Sequence, residues 1–234
     1  MKKQILKRLN KQGFTLVELL VAMGISGVVM AGIYTVYSSQ QKSYAAQEQM
    51  AAIQQNLRTA IYFMEREIRM AGYDPTRDAD AAITTANVAE LEFSKDENGD
   101  GDFTDTNEQI RYALTDDADE DGIADGSPCH LGRETGGAGG LQMIAENIDA
   151  VNFVYLDEGG NVLDDDGSGN VVASIPDIRS IQITIVARAD RVDPGYTDTN
   201  AYYNQADLEI LPARNDGFRR KRLTTEVKCR NLGL

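Results

Sequence analysis

The chain has 234 residues, enough for one membrane element and one globular domain of ordinary size. Its formal net charge is -14, and the segment from Asp74 to Pro128, with seventeen acidic residues against Arg77, Lys95 and Arg111, accounts for all of it. Such a balance excludes tight non-specific nucleic-acid binding, which needs clustered Lys and Arg; the one basic cluster, Arg219, Arg220, Lys221 and Arg222, has the character of a solvated strand edge.

Met1 to Gly13 carries Lys2, Lys3, Lys7, Arg8 and Lys11 with no acidic residue. An apolar run of about two dozen residues follows, long enough to span a bilayer. The flanking positive charge predicts a cytoplasmic N-terminus and an extracytoplasmic remainder. Ala31-Gly32 offers small residues but no A-x-A cleavage pattern, so the run is expected to be retained. Glu18 is the anomaly in it. An acidic side chain toward lipid costs on the order of 2.5 kcal/mol or more at mid-bilayer, and a spanning helix is expected to gain nothing from one in its first turns.

Lys11-Gln12-Gly13 followed by Phe14-Thr15-Leu16-Val17-Glu18 resembles the class III signal of type IV pilins and type II secretion pseudopilins. The resemblance implies a cut by a membrane prepilin peptidase between Gly13 and Phe14 and N-methylation of Phe14. It makes Glu18 the fifth residue of the mature chain, an assembly residue. In a water-free bundle of such helices Glu18 needs a cation, and the α-ammonium of Phe14 on an adjacent subunit supplies one. Many major pilins have a proline midway along this helix; here there is none, but Gly24, Gly27 and Gly32 lower helix propensity by about 1 kcal/mol each and permit close backbone approach.

From Ser38 the composition turns polar while Met50, Ile53, Leu57, Ala60, Ile61, Met64 and Ile68 keep a helical period, predicting one apolar stripe. Gly72 and Pro75 form a stop, so Phe14 to Ala71 reads as one helix of about 85 Å at 1.5 Å per residue. The expected division is a leader over 1–13, a membrane or filament-core helix over 14–37, its amphipathic continuation over 38–72, and a β-rich extracytoplasmic domain over 73–234. The run Met64 to Tyr73 is similar to the helix end of PilW-type minor pilins, and the C-terminal strand resembles theirs too.

Two acidic runs have metal-ligand spacing. Asp96, Asn98, Asp100 and Asp102, with Gly101 between the last two, reproduce the first half of an EF-hand loop. The twelfth position is Asn107, with Glu108 one step late, and the flanks, Leu91 to Phe93 and Ile110 to Leu114, alternate as strands. A Ca²⁺ loop in a hairpin is therefore the expectation. Asp117, Asp119, Asp121 and Asp125 with Gly122 repeat the spacing and resemble aspartate-rich repeats of extracellular calcium proteins. Asp164 to Asn170 is a weaker case, since its Gly and Asn serve a turn equally well.

Behind an export segment, Cys129 and Cys229 are expected to form a disulfide, stabilising by up to about 4 to 5 kcal/mol for a loop of about 100 residues. Gly136 to Gly140 lacks the strand-to-helix context of a phosphate cradle and reads as a flexible loop, and the single histidine, His130, has no nucleophile pattern beside it. Ala150 to Leu156, Val162-Leu163, Ile178 to Ala187 and Lys221 to Asn231 read as strands, the third amphipathic. Asp190 to Asp216 reads as a surface excursion.

The combined expectation is an α+β pilin fold: a long N-terminal helix packed on an antiparallel sheet, with acidic loops and no catalytic constellation. The implied function is that of a minor pilin inserted in the inner membrane and incorporated into a type IV pilus. Its implied partners are other pilins, the prepilin peptidase and the inner-membrane assembly platform. A type II secretion pseudopilin would share these features, and a membrane-anchored calcium-dependent adhesin would share the acidic loops but gain nothing from Glu18.

Overall fold

The computed structural model describes residues 13–126, 128–137 and 139–233. The leader up to Gln12, with its basic residues, lies outside the described residues. Two compact units are distinguished, Met1–Gln47 and Glu48–Leu234. One α-helix, α1 (Leu16–Ile68), runs through both.

In the first unit the helical side chains are exposed and apolar, among them Leu16, Leu19, Leu20, Val21, Ile25, Val28, Val29 and Ile33. This helix is long and apolar enough to cross a membrane. In the second unit α1 turns amphipathic, and Ile53, Leu57, Ala60, Ile61, Met64 and Ile68 are the buried positions. They are the stripe expected from the three- and four-residue period. Met50 packs against the same core from its edge. The chain leaves the helix at Gly72, whose φ of +73° suits a residue without a Cβ.

The expected antiparallel layer is divided into two main sheets. β1 (Ile83–Ala86), β2 (Leu91–Ser94), β3 (Gln109–Leu114), β4 (His130–Thr135) and β5 (Gln142–Glu146) form a five-stranded meander in sequence order. The second sheet has four strands in the order β11 (Arg220–Lys228), β8 (Ser180–Arg188), β6 (Ile148–Leu156), β7 (Val162–Leu163). A small ribbon pairs β9 (Tyr202–Tyr203) with β10 (Glu209–Leu211). The helix residues from Ile53 to Ile68 share one core with Phe93, Ile110 and Leu131 of the first sheet and Val151, Phe153, Ile181 and Ile183 of the second.

A half-buried polar clasp fixes the helix on this core. Glu67 of α1 accepts two hydrogen bonds from the Arg133 guanidinium, both 2.8 Å, and one from the Tyr112 hydroxyl. Burial and the Glu67 charge together push the Tyr112 phenol well above its ordinary range, so it stays a donor. Nearby, the Thr225 hydroxyl donates to Glu65 at 2.7 Å, and Asn56 donates to the Glu146 carbonyl at 2.6 Å.

Three local readings are corrected. The stretch beginning at His130, expected as a loop leading into glycines, is strand β4, paired with β3 from Leu114↔Leu131 to Ile110↔Thr135. β8, expected to be amphipathic, is buried on both faces, because the excursion after Asp190 is laid over its outer side. There Ile210 and Leu211 pack on Ala150 and Val186, with Ile123 and Tyr202 at the margin. Arg220, expected on a solvated edge, is buried and anchors that excursion through Asp149 (2.6 Å), Asp216 (2.7 Å) and Asp198 (3.4 Å).

Candidate functional site

Gly13, Phe14 and Thr15 precede the first helical residue, and Phe14 is 92 % exposed. Thr15 occupies the N-cap position of α1. Its hydroxyl accepts the Glu18 amide at 3.2 Å and donates to the Glu18 carboxylate at 2.8 Å, while the Thr15 amide donates to the same carboxylate at 2.8 Å. This is a capping box, in which residues three apart satisfy each other's free donors at the helix start. The expectation that a spanning helix gains nothing from Glu18 is corrected accordingly: the carboxylate closes the first turn. The signal was present as Thr15-x-x-Glu18.

The site is thus a helix N-terminus carrying one carboxylate, directly behind an exposed Gly13-Phe14 bond. Two hydrogen-bond donors of Thr15 hold that carboxylate at the head of the helix, where the positive end of the helix dipole favours an acidic group. Comparison with known families bears on what the site is for. A model of the prokaryotic N-terminal methylation motif matches residues 8–34, which contain Gly13, Phe14 and Glu18. A model described as prepilin peptidase-dependent protein B matches residues 46–202. The chain belongs to the prepilin peptidase-dependent protein B family.

Among solved structures, the chain is similar to a type IV-like pilin from Thermus thermophilus, with 14 % identity, a TM-score of 0.48, and coverage of 77 % of this chain and 96 % of that one. No curated protein matches the chain significantly. The two family matches make this a type IV pilin-like protein, and its fold is one long N-terminal helix whose second half packs against antiparallel sheets. Pilin-like families are structural rather than enzymatic. They assemble with other pilins and are processed by prepilin peptidase. The methylation motif and the apolar helix together indicate membrane anchoring before assembly.

The acidic loops differ from one another. The run from Asp96 lies in the β2–β3 hairpin, as the flanking strand patterns imply. Its carboxylates, however, engage the loop itself. Asp96, fully buried, accepts the amides of Gly99 (2.6 Å) and Gly101 (3.2 Å). Asn98 donates to Asp100 (2.9 Å) and Asp105 (2.8 Å), and Asp102 accepts the amide and hydroxyl of Thr104, both 2.8 Å. Glu108, one step late for an EF-hand, is buried and closes the loop from inside by accepting the amides of Glu97 (2.9 Å) and Asp105 (3.2 Å). That role was not read from the sequence. Asp96, Asp100 and Asp102 do not converge into a group of carboxylates.

Convergence occurs in the second loop. Among the described residues, Asp117, Asp119 and Asp125 present carboxylate oxygens within 4.8 Å of one another. Asp121 is turned aside to accept the Ile123 amide at 2.7 Å. Asp117 itself accepts the amides of Asp121 (3.2 Å) and Gly122 (2.9 Å), and Asp125 that of Ala118 (2.7 Å). Burial, and then the charges of Asp121 and Asp119, push the Asp117 carboxyl above its ordinary value despite those amides. A hard, oxygen-only donor set of this kind fits Ca²⁺ better than a softer metal.

The expected disulfide is not formed. Cys129 and Cys229 are both buried free thiols. The Cys129 carbonyl accepts the Ile148 amide, at the start of β6, and Cys229 donates its amide to Arg179, whose own amide bonds Leu156 at the end of β6. The length of that strand, about 26 Å for eight steps, separates them, whereas a disulfide needs Cα atoms within about 7 Å. Burial pushes the Cys229 thiol up to about 12, so it carries no thiolate at neutral pH.

Proposed function

We propose that this chain is a minor pilin of a type IV pilus, held in the inner membrane with its N-terminus in the cytoplasm until prepilin peptidase cuts between Gly13 and Phe14. The PilW-type likeness of the helix end and the C-terminal strand supports the minor class, and the large extracytoplasmic domain suits a tip or priming complex. Once cut and N-methylated, Phe14 supplies an ammonium at the head of α1. Glu18 pairs with the Phe14 ammonium of a neighbouring subunit as the apolar helix leaves lipid for the filament core, and this pair sets the register between helices.

The observation that carries this reading is the placement of Glu18. Its carboxylate faces the chain start at the head of an exposed apolar helix, and among the described residues its hydrogen bonds come from Thr15 alone. A neighbour's ammonium can replace those donors with a full charge in a medium of low dielectric, where an unpaired carboxylate is costly. Glu18→Ala is expected to leave membrane insertion intact while abolishing recovery of the chain in sheared filaments. Equal recovery of the variant would overturn the reading.

The same proposal assigns Ca²⁺ to Asp117, Asp119 and Asp125. Burial, and then the charges of Asp121 and Asp119, keep the Asp117 carboxyl raised; a bound divalent cation offsets both, and its affinity falls as the pH drops and Asp117 takes up a proton. Calorimetry on the full-length protein in detergent is expected to register Ca²⁺ binding that Asp119→Asn weakens. The absence of binding heat, with a Tm unmoved by EDTA, would remove calcium from the proposal.

A further inference from the structure

An open groove of about 730 Å³ runs beside the end of α1, walled by Tyr62, Arg66, Met70, Tyr73, Lys95 and Arg230. Its ionic groups are unevenly satisfied. Each carboxylate along it already has a cation: Glu65 has Arg69 (3.3 Å), Glu67 has Arg133 (2.8 Å), and Glu97 has Lys95. Among the described residues the Arg66 and Arg230 side chains make no hydrogen bond and no ion pair within 4.0 Å, Arg66 acting on Glu97 only at longer range, and both are exposed. In a chain of net charge -14, two unpaired guanidiniums beside Tyr62, itself 64 % exposed, make a local cationic patch with an apolar wall. Guanidinium groups pair with carboxylates in forked geometry, and aromatic walls favour an apolar residue between them.

The complement is present elsewhere on the same molecule. In the β2–β3 hairpin, Asp102 and Asp105 are exposed and flank the half-buried Phe103. Their hydrogen-bond partners are Thr104 and Asn98, both neutral, and neither carboxylate is in an ion pair among the described residues. We infer that the groove receives the Asp102-Phe103-Thr104-Asp105 turn of a second copy of this chain, with Arg66 and Arg230 on the two carboxylates and Tyr62 against the phenyl ring. The turn contributes no residue to the groove's lining, so the contact is heterologous. Exposed ion pairs are individually weak, and the contact gains strength only where another element already holds the copies side by side.

The inference rests on reading the chain as an assembling subunit, but it is tested in solution, so failure of this contact and failure to enter filaments are separate results. Full-length protein in detergent micelles, prepared as donor- and acceptor-labelled populations, reports association by energy transfer. At low ionic strength, Arg66→Glu with Arg230→Glu is expected to weaken association about tenfold, and Asp102→Lys with Asp105→Lys by a similar factor. Mixing the two double variants is expected to restore it to within about threefold of the natural pair. The milder Arg66→Gln with Arg230→Gln should fall between, at an unchanged Tm. Association of either double variant equal to that of the natural chain overturns the contact. So does a mixture that recovers nothing, or an association of the natural chain that salt leaves unchanged.

Discussion

Arg220→Ala tests how the excursion after Asp190 is held. The Arg220 side chain is 2 % exposed and lies among Asp149, Asp198 and Asp216. Removing one partner of a buried ion pair costs roughly 3 to 5 kcal/mol, because the remaining charge is left uncompensated. Here the remaining groups are unequal. Asp149 still faces Arg188 at 3.5 Å, and Asp216 is 34 % exposed and can hydrate. Asp198, 1 % exposed, keeps the Tyr202 hydroxyl at 2.8 Å but loses its cation. The expected loss is therefore at the lower end, about 3 kcal/mol, measured by urea unfolding of the full-length protein in micelles. Hydrogen exchange should speed first over 190–218.

The pH dependence supplies a second reading of the same variant. Burial pushes the Asp198 carboxyl up, but hydrogen bonds from Tyr202, Asn200 and Arg220 outweigh it and hold the group below its ordinary value. Arg220 chiefly does the same for Asp216. A carboxyl depressed in the folded state contributes stability that is present above its unfolded value near pH 4 and is lost as the pH falls through the folded value. Arg220→Ala should flatten that acid limb. A loss under about 1 kcal/mol, or an acid limb identical to that of the natural chain, would refute the anchoring role.

Other expectations concern the core and the second loop. Met64 is fully buried where α1 meets the sheets, and Met64→Ala is expected to destabilise by about 2 to 5 kcal/mol in the same unfolding assay. Gly122 has φ +80°, and a Cβ there would lie 2.3 Å from the Val151 carbonyl oxygen. Gly122→Ala should therefore cost roughly 1 to 3 kcal/mol and free the loop from β6, read as faster exchange of the Val151 amide. Intact mass after thiol alkylation should show no adduct at Cys229 in the folded protein and two adducts on the chain once unfolded without reductant. A chain that needs reductant to react would restore the disulfide.

Much of the fold was legible because it follows periodicity. The apolar stripe from Ile53 to Ile68, the hairpin around Asp96, and the strands through Ala150, Ile183 and Thr224 fall where the patterns put them. The misses have local causes. β4 was hidden by glycines: Gly132 is central to it, where an added Cβ would lie 2.6 Å from that of Leu141. β8 appeared half-polar because Thr184 is buried by a segment that sequence alone does not fold back over it. The expected cysteine pair rests on an oxidising compartment, which carries no information about a strand lying between the two residues. Thr15-x-x-Glu18 is legible as a capping box from its spacing alone. Convergence of Asp117, Asp119 and Asp125, and its absence around Asp100, depends on which amides each carboxylate accepts; spacing does not determine that.

The central claim is that the exposed Gly13-Phe14 bond is cut and that the new terminus meets Glu18 of a neighbour. The most direct measurement is the N-terminal mass of this chain recovered from sheared filaments. The account predicts a chain beginning at N-methyl-Phe14, and its disappearance from filaments in the Glu18→Ala variant while the membrane pool persists. A chain recovered with residues 1–13 intact, or one present in filaments equally with and without Glu18, would contradict it.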